Sequence, residues 1–209
     1  MTNGTFSLRG GAPSVDFVNT VDGMRVVNET EDLRSYQDLL TWAVQAGLID
    51  ARDQARLRGT AAQHPRRAGE ALGRARELRE ALHRVLLASI ERRPVDPADL
   101  HLLDAWISAA QAERRLAAVP RRGFALAFPP GDELLSPLCP VALDAAALLT
   151  DHERLARLRI CEESEVHRCG WLFLDETRNA SRRFCSMEDC GNRAKQRRFQ
   201  ARVKASRRR

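Results

Sequence analysis

Three cysteines close to the carboxyl end place the strongest constraint on how this chain can fold. Cys169, Cys185 and Cys190 lie in a segment that begins near residue 161 and is rich in charged residues. Its main large apolar side chains are Trp171, Leu172, Phe173, Leu174, Phe184 and Phe199. These few apolar side chains cannot form an adequate core. A unit of this size therefore needs disulfides or a bound metal to stabilise it.

Metal coordination fits these cysteines better than disulfide formation. The amino terminus lacks the pattern of a secretion signal, and no run of about 20 apolar residues indicates a membrane span. We therefore expect a cytoplasmic protein, in which thiols stay reduced. Zinc takes four thiolate or imidazole ligands, and a site closed by four protein ligands is structural rather than catalytic. The sequence contains no C-x-x-C, which disfavours redox thiols.

The fourth zinc ligand has two candidates in the sequence. Cys161 precedes Cys169 by a loop of seven residues, "EESEVHR", which is longer than usual. His167 is separated from Cys169 by a single residue, which makes tetrahedral geometry difficult. We favour Cys161, and His167 is the alternative.

The residues between and after the cysteines predict a hairpin followed by a helix. "WLFLDET" and "RRFCS" are typical strands, and "RNAS" between them is a typical turn. "GNRAKQRRFQARVKA" contains no proline and many helix formers, and Phe199 and Val203 are its expected contacts with the hairpin. A knuckle, a hairpin and a helix that carries the last ligand form a treble clef. The cysteine segment is therefore predicted to be a treble-clef zinc finger.

The excess positive charge lies entirely in this C-terminal segment. Residues 161–209 contain thirteen Lys and Arg against seven Asp and Glu, whereas the first 160 residues carry 21 of each sign. The basic helix predicted after Cys190 is suited to binding phosphates. A neutral body joined to a basic module indicates a nucleic-acid partner. DNA is the preferred partner, and RNA is the alternative. The predicted contacts are Asn192, Arg193, Lys195, Arg197, Arg198 and Arg202, of which Asn192, Arg193 and Arg197 are able to read bases.

The first 160 residues predict a mainly helical body with a little strand. The expected helices are one capped by Asn28 with Glu31 as its capping-box partner, one capped by Asp50, a long amphipathic one that Pro94 ends, one capped by Asp96, and one within "SPLCPVALDAAALLTDHERLARL". "RLAAV" and "FALAF" predict a short hairpin. The fold class is therefore α+β, with a mainly helical N-terminal domain, a small β-hairpin and the C-terminal zinc finger.

The body shows no pattern of catalytic residues. His64, His83, His101 and His152 lack ligand spacing, and Cys139 is expected to be a buried small side chain. Asp16, Asn19 and Asp22 could line a site, but we favour roles in capping and turning the chain. No nucleophile–base pair or phosphate-binding loop is visible, so we expect a protein that is not an enzyme.

Two stretches carry a resemblance to known families. "CGWLFLDETRNASRRFCSMEDCGNRAKQRRFQAR" strongly resembles the CGNR zinc finger, whose tetrapeptide is here Cys190 to Arg193. "GGAPSVDFVNTVDG" and "DLRSYQDLLTWAVQAGLI" resemble the N-terminal ABATE domain of bacterial proteins described as stress-induced transcription regulators.

The resemblance implies a DNA-binding treble clef joined to a domain that senses a ligand. The expected boundaries are 1–156 for the ABATE-like domain and 157–209 for the finger. Matched by position, Cys161, Cys169, Cys185 and Cys190 are the metal ligands, although the insertion around "EESEVH" departs from the closer spacing usual in the family.

Overall fold

Helices dominate the N-terminal part of the chain. The structure, a computed structural model, describes residues 6–25, 27, 29–119, 123–166 and 168–206. Its α-helices are α1 (Pro13–Val18), α2 (Tyr36–Gln45), α3 (Ala51–Gln63), α4 (Pro65–Glu91), α5 (Pro97–Glu113), α6 (Cys139–Thr150), α7 (His152–Leu155) and α8 (Asn192–Ser206). Short 3₁₀ turns cover Ser136–Leu138 and Glu162–Val166, and a π-turn covers Met187–Gly191. The predicted α+β class is confirmed.

The strands of the described residues form three separate antiparallel pairs. β1 (Val21–Asp22) pairs with β2 (Thr30–Glu31), β3 (Arg115–Val119) with β4 (Gly123–Ala127), and β5 (Leu158–Ile160) with β6 (Leu172–Leu174). The β3–β4 pair confirms the hairpin predicted from "RLAAV" and "FALAF". The other two pairs connect segments that are farther apart in the sequence, so local pattern gave no indication of them.

The start of α2 corrects the prediction that Asn28 caps this helix. The helix begins at Tyr36, and Ser35 and Asp38 form its capping box. Glu31 lies in β2, where its carboxylate accepts hydrogen bonds from both terminal nitrogens of Arg79, at 2.6 and 2.7 Å. Asn28 itself lies outside the described residues. Glu31 is not available as a cap because the buried guanidinium of Arg79 requires a bidentate partner. The segment "SYQD" supplies the same capping chemistry nearer the helix.

The remaining helix predictions agree with the structure. Asp50 and Asp96 cap α3 and α5 through their side chains, and α4 ends shortly before Pro94. The apolar side of α4 joins the main core, in which Phe17 and Trp42 pack with their ring centroids 5.0 Å apart. Cys139 is 8% exposed, as expected of a small buried side chain.

The strand predicted to follow the "RNAS" turn is absent from the described residues of the zinc-finger segment. "WLFLDET" supplies β6, but its partner is β5, which precedes Cys161, and "RRFCS" forms no strand. Arg182 within "RRFCS" instead turns inward, with its guanidinium 4.4 Å from the centre of the Phe173 ring. The prediction was wrong because it sought the partner strand next to "RNAS", whereas burial against the helical core selected "LRI", before the first cysteine.

The β5–β6 ribbon connects the finger to the helical core. Leu158, Leu172 and Leu174 belong to the main core, whereas Phe173 belongs to the smaller cluster that contains four cysteines. Successive side chains of a strand point to opposite faces, so one short ribbon can serve two cores. No helix in the described part of the chain has the length and apolar character that crossing a membrane requires.

His83 should make stability depend on pH. Burial, followed by the charge of Arg25, lowers the pKa of His83 from 6.5 to about 4. The unfolded chain therefore takes up this proton before the folded chain does, so acidification favours unfolding. We expect the contribution of His83 to the free energy of unfolding to be constant above pH 6.5. The free energy of unfolding should decrease by up to about 3 kcal/mol as the pH falls from 6.5 to 4.

This expectation is tested with urea denaturation of the wild-type and His83→Gln proteins at a series of pH values. The difference in unfolding free energy between the two should change between pH 6.5 and 4 and be constant above that window. His101→Gln, at an exposed histidine of α5, serves as the control. Parallel pH profiles for wild type and His83→Gln would contradict the prediction.

Candidate zinc centre and basic helix

Four different local structures bring the cysteines together. Cys161 follows β5 directly, and Cys169 lies three residues before β6. Cys185 lies in the irregular stretch after the loop, and Cys190 lies in the π-turn that leads into α8. Ser186 caps the start of this turn, because its Oγ atom accepts a hydrogen bond from the backbone N–H of Asp189. The last cysteine thus lies at the start of the final helix, as predicted.

The sulfur atoms have the spacing of a tetrahedral zinc site. The four Sγ atoms all lie within 4.8 Å of one another, and two of the separations are 3.7 Å (Cys169 to Cys185) and 3.6 Å (Cys185 to Cys190). A tetrahedron with Zn–S bonds of about 2.3 Å requires sulfur atoms about 3.8 Å apart, whereas a disulfide requires about 2 Å. All four residues are at most 4% exposed. The donor set therefore fits zinc, and the protein has a structural zinc site.

Without a metal, the clustered thiols differ in acidity. Hydrogen bonds from Cys169, then Cys185 and Cys190, lower the pKa of Cys161 well below its ordinary range, whereas hydrogen bonds with Cys161 raise the pKa of Cys169 and of Cys185. Arg193 donates a hydrogen bond of 3.0 Å from Nη2 to the Sγ atom of Cys190. A zinc ion with four thiolates carries a net charge of about −2, so this guanidinium offsets part of it.

Glu163 fixes the basic helix one turn farther along, through Arg197. Its carboxylate is fully buried, and its two oxygens lie 2.7 and 2.9 Å from Nη1 of Arg197. The backbone oxygen of the same residue accepts a hydrogen bond from the N–H of Arg168. A buried carboxylate requires a partner, so Glu163 holds α8 against the loop between Cys161 and Cys169. The loop that is long for a zinc knuckle thus supplies an acid that sequence reasoning missed.

The exposed side of α8 carries positive charge around an aromatic ring. Lys195, Arg198 and Arg202 lie three or four residues apart and therefore share a helix face with Phe199. These three cations are exposed and form no ion pair within the described residues. Phe199 is 67% exposed, so the prediction that it packs on a hairpin was wrong; Ala194 and half-buried Val203 face inward instead. A small module needs only the first turns of α8, which leaves the later turns in solvent.

The six predicted nucleic-acid contacts divide into two sets. Asn192, Arg193 and Arg197 are tied to the module through the Glu188 carbonyl, the Cys190 sulfur and the Glu163 carboxylate. Lys195, Arg198 and Arg202 lie on the exposed face. His167, the alternative zinc ligand, and the terminal arginines from 207 to 209 lie outside the described residues.

Asn19 attaches the helical part of the chain to the finger. Its Nδ2 donates to the Leu172 carbonyl at 2.8 Å, and its Oδ1 accepts from the Leu172 N–H at 2.9 Å. The amide thus extends the ladder of β6 on the side away from β5. Nearby, the Gly170 N–H donates to the Gly23 carbonyl at 2.8 Å, and a Cβ atom at Gly170 would lie as close to that oxygen.

Asp16 and Asp22, the other two residues of the predicted trio, shape the backbone. Asp16 accepts a hydrogen bond from the Gly10 N–H at 2.7 Å, and burial raises the pKa of Asp16 to about 6. Asp22 accepts from the Gly23 N–H. Both also line a cavity of about 230 Å³ beside Trp171, so the turning role that we favoured coexists with a small space between body and finger.

Replacing Asn19 with alanine should weaken the contact between body and finger. The substitution leaves the buried N–H and C=O of Leu172 without partners, which costs about 1–3 kcal/mol for each group. We therefore expect the unfolding free energy of the zinc-loaded protein in urea to fall by about 2–6 kcal/mol. Asn179→Ala, in the exposed turn after β6, should change it by less than about 0.5 kcal/mol. Equal stability of the two variants would refute this role of Asn19.

A zinc-finger protein with a helical N-terminal domain is the class that this fold and this site define. The CGNR zinc finger family model matches residues 157–203. The ABATE family model, described as "Putative stress-induced transcription regulator", matches residues 11–152, more than half of the chain, and the chain belongs to this family. The resemblance stated from the sequence is thus confirmed, and neither description is that of an enzyme. No curated protein matches the chain.

Proposed function

We propose that this protein is a cytoplasmic transcription regulator that binds duplex DNA through α8 and senses a small molecule with its helical domain. The exposed face formed by Lys195, Arg198, Arg202 and Phe199 is the observation that carries the DNA-binding part. The zinc site holds this helix at a fixed position on the module. Membership of a regulator family supports the proposal.

We assign zinc to Cys161, Cys169, Cys185 and Cys190. The sulfur spacing and burial support all four, so we assign Cys161 as the fourth ligand in preference to His167. Four protein ligands leave no coordination position for a substrate, so this zinc organises structure rather than activating water. We place the domain boundary between residues 156 and 157, just before β5.

Free positive charge on α8 is the electrostatic basis of DNA binding. Arginine and lysine side chains that are not paired with carboxylates can displace the counterions of phosphates, which makes affinity depend strongly on salt. Phe199, in the middle of this face, can contact a thymine methyl group or a sugar. Asn192, Arg193 and Arg197 remain predicted contacts, and their bonds to the module fix the direction in which their remaining donors point.

The test is a salt-dependent binding measurement with the zinc-loaded full chain. Fluorescence anisotropy with a pool of labelled genomic duplexes should show binding that weakens steeply with salt, and sequencing of the retained duplexes should reveal a shared motif. Double-stranded and structured single-stranded RNA serve as competitors. If RNA displaces the labelled duplexes at concentrations far below those at which unlabelled DNA does so, the RNA-binding alternative is favoured. Absence of binding to both polymers at low salt would refute the proposed function.

A further inference from the structure

A second cavity lies in the helical domain, away from the zinc centre. It has a volume of about 560 Å³ and is bounded by α4, α5, the start of α6 and the segment that follows β4. Its apolar wall includes Leu102, Trp106, Phe128, Leu135 and Cys139. This volume lies in the range of pockets that hold small organic ligands.

The floor of this cavity is an apolar cluster separate from the main core. Cys139 packs there with Ala110 and Ala142, and Trp106 and Phe128 contact the same cluster. Burial, followed by the charge of Glu113, raises the pKa of Cys139 to about 11, so its thiol is neutral and forms part of the apolar surface. A ligand in this space would therefore meet aromatic and polarisable groups on the inside.

The rim of the cavity is predominantly acidic. Glu77, Glu113 and Glu133 line it, against the single cation Arg74. Glu133 lies 3.6 Å from Arg67, whereas Glu77 and Glu113 form no ion pair within the described residues. Apolar walls beneath carboxylates without partners favour a ligand that is both apolar and positively charged.

Arg74 already occupies the position such a charge would take. Its guanidinium carbon lies 5.1 Å from the centre of the Trp106 ring, which is within the distance of a cation–π contact. Arg74 is exposed and forms no ion pair within the described part of the chain, so it can move away at little cost. The indole face is thus a cation site filled by a side chain of the protein itself.

We propose that this cavity binds an apolar organic cation, with Trp106 stacking on the charged group and Glu77 and Glu113 balancing it. A metal cation does not fit, because the carboxylates form no cluster of ligand-like spacing; the cysteines at the zinc centre are the only such group found among the described residues. The inference deepens the sensing part of the proposed function and is independent of whether α8 binds DNA.

Two probes of similar size and opposite charge test this proposal directly. Tetraphenylphosphonium and tetraphenylborate share four phenyl groups and differ in the sign of their charge. Isothermal titration calorimetry with the zinc-loaded full chain should show binding of the cation and at least about 10-fold weaker binding of the anion. Binding of both ions with equal affinity would show an unselective apolar pocket and overturn the proposal, as would the absence of cation binding.

Three variants locate the binding within the cavity. Trp106→Leu keeps an apolar wall and should weaken phosphonium binding about 10-fold, and Glu113→Gln should weaken it several-fold. Arg74→Ala removes the internal competitor and should tighten binding about 3-fold or more. Glu153→Gln makes the same charge change on exposed α7 and should have no effect. Unchanged affinity in Trp106→Leu and Arg74→Ala together would overturn the assignment.

DNA binding of the same preparations is measured separately, with and without the phosphonium ion. Cation binding without DNA binding would leave the cavity assignment in place and refute the regulator. DNA binding without cation binding would support the DNA-binding regulator and refute the cavity assignment.

Discussion

Cys190→Ser is expected to lose the bound zinc and to unfold the C-terminal module. The variant lacks one of four thiolates that lie within 4.8 Å of one another, and a hydroxyl is a poor zinc ligand. Binding free energies of structural zinc are about 10–16 kcal/mol, so this metal supplies most of the stability of a module whose own core is small. The zinc content after exposure to a chelator, measured by metal analysis, should be nearly zero in the variant, compared with one zinc per chain in the wild type.

The helical domain should survive this loss only in a weakened form. Leu158, Leu172 and Leu174 pack in the main core, so unfolding of the module removes part of that core as well. Circular dichroism should therefore retain most of the helical signal, with a lower melting temperature.

Cys139→Ser is the matched control, since it replaces the one cysteine that lies outside the cluster, and it should keep its zinc. Cys161→Ser and His167→Ala form a second pair, of which only the first should lose metal. One zinc per chain in Cys190→Ser, or loss of zinc in His167→Ala but not in Cys161→Ser, would overturn the ligand assignment.

Replacing Lys195, Arg198 and Arg202 together with alanine should abolish most of the DNA affinity while leaving zinc bound. These side chains touch neither the sulfur cluster nor Glu163, so the fold of the module should persist. Each phosphate contact contributes about 0.9 to the slope of log affinity against log salt concentration, so three contacts contribute about 2.7. At physiological salt we expect affinity to fall by at least about 100-fold.

A triple variant on the helical domain separates local contact from net charge. Arg52, Arg58 and Arg66 are exposed, form no ion pair within the described residues and lie on α3 and α4. Their replacement with alanine changes the net charge by the same amount. It should leave both the affinity and the salt slope nearly unchanged. Equal losses in the two triple variants would show that binding depends on overall charge, and would refute the assignment of α8 as the interface.

The zinc site shows how far local pattern can predict a fold. Cys185 and Cys190 lie five positions apart, directly before a segment rich in helix formers, so the sequence predicted a metal-binding turn and a basic helix. The partner of the β6 strand was misassigned, because pairing "WLFL" with "LRI" depends on burial against helices that precede both in the chain. The role of Glu163 was missed for the same reason, since its partner Arg197 lies 34 residues away.

The amino-acid sequence by itself determined most of the longer helices, the β3–β4 hairpin, the thiolate site and the placement of the excess charge, but not α1 or the start of α2. These features depend on residue type and on spacing within a few turns of chain, which a sequence displays directly. Only the tertiary structure decided which arginines of α8 are held and which are free, because that depends on where Cys190 and Glu163 are placed. It also decided that β6 joins both cores, with Leu172 and Leu174 in the main core and Phe173 in the cysteine cluster, since such contacts follow from packing between distant segments.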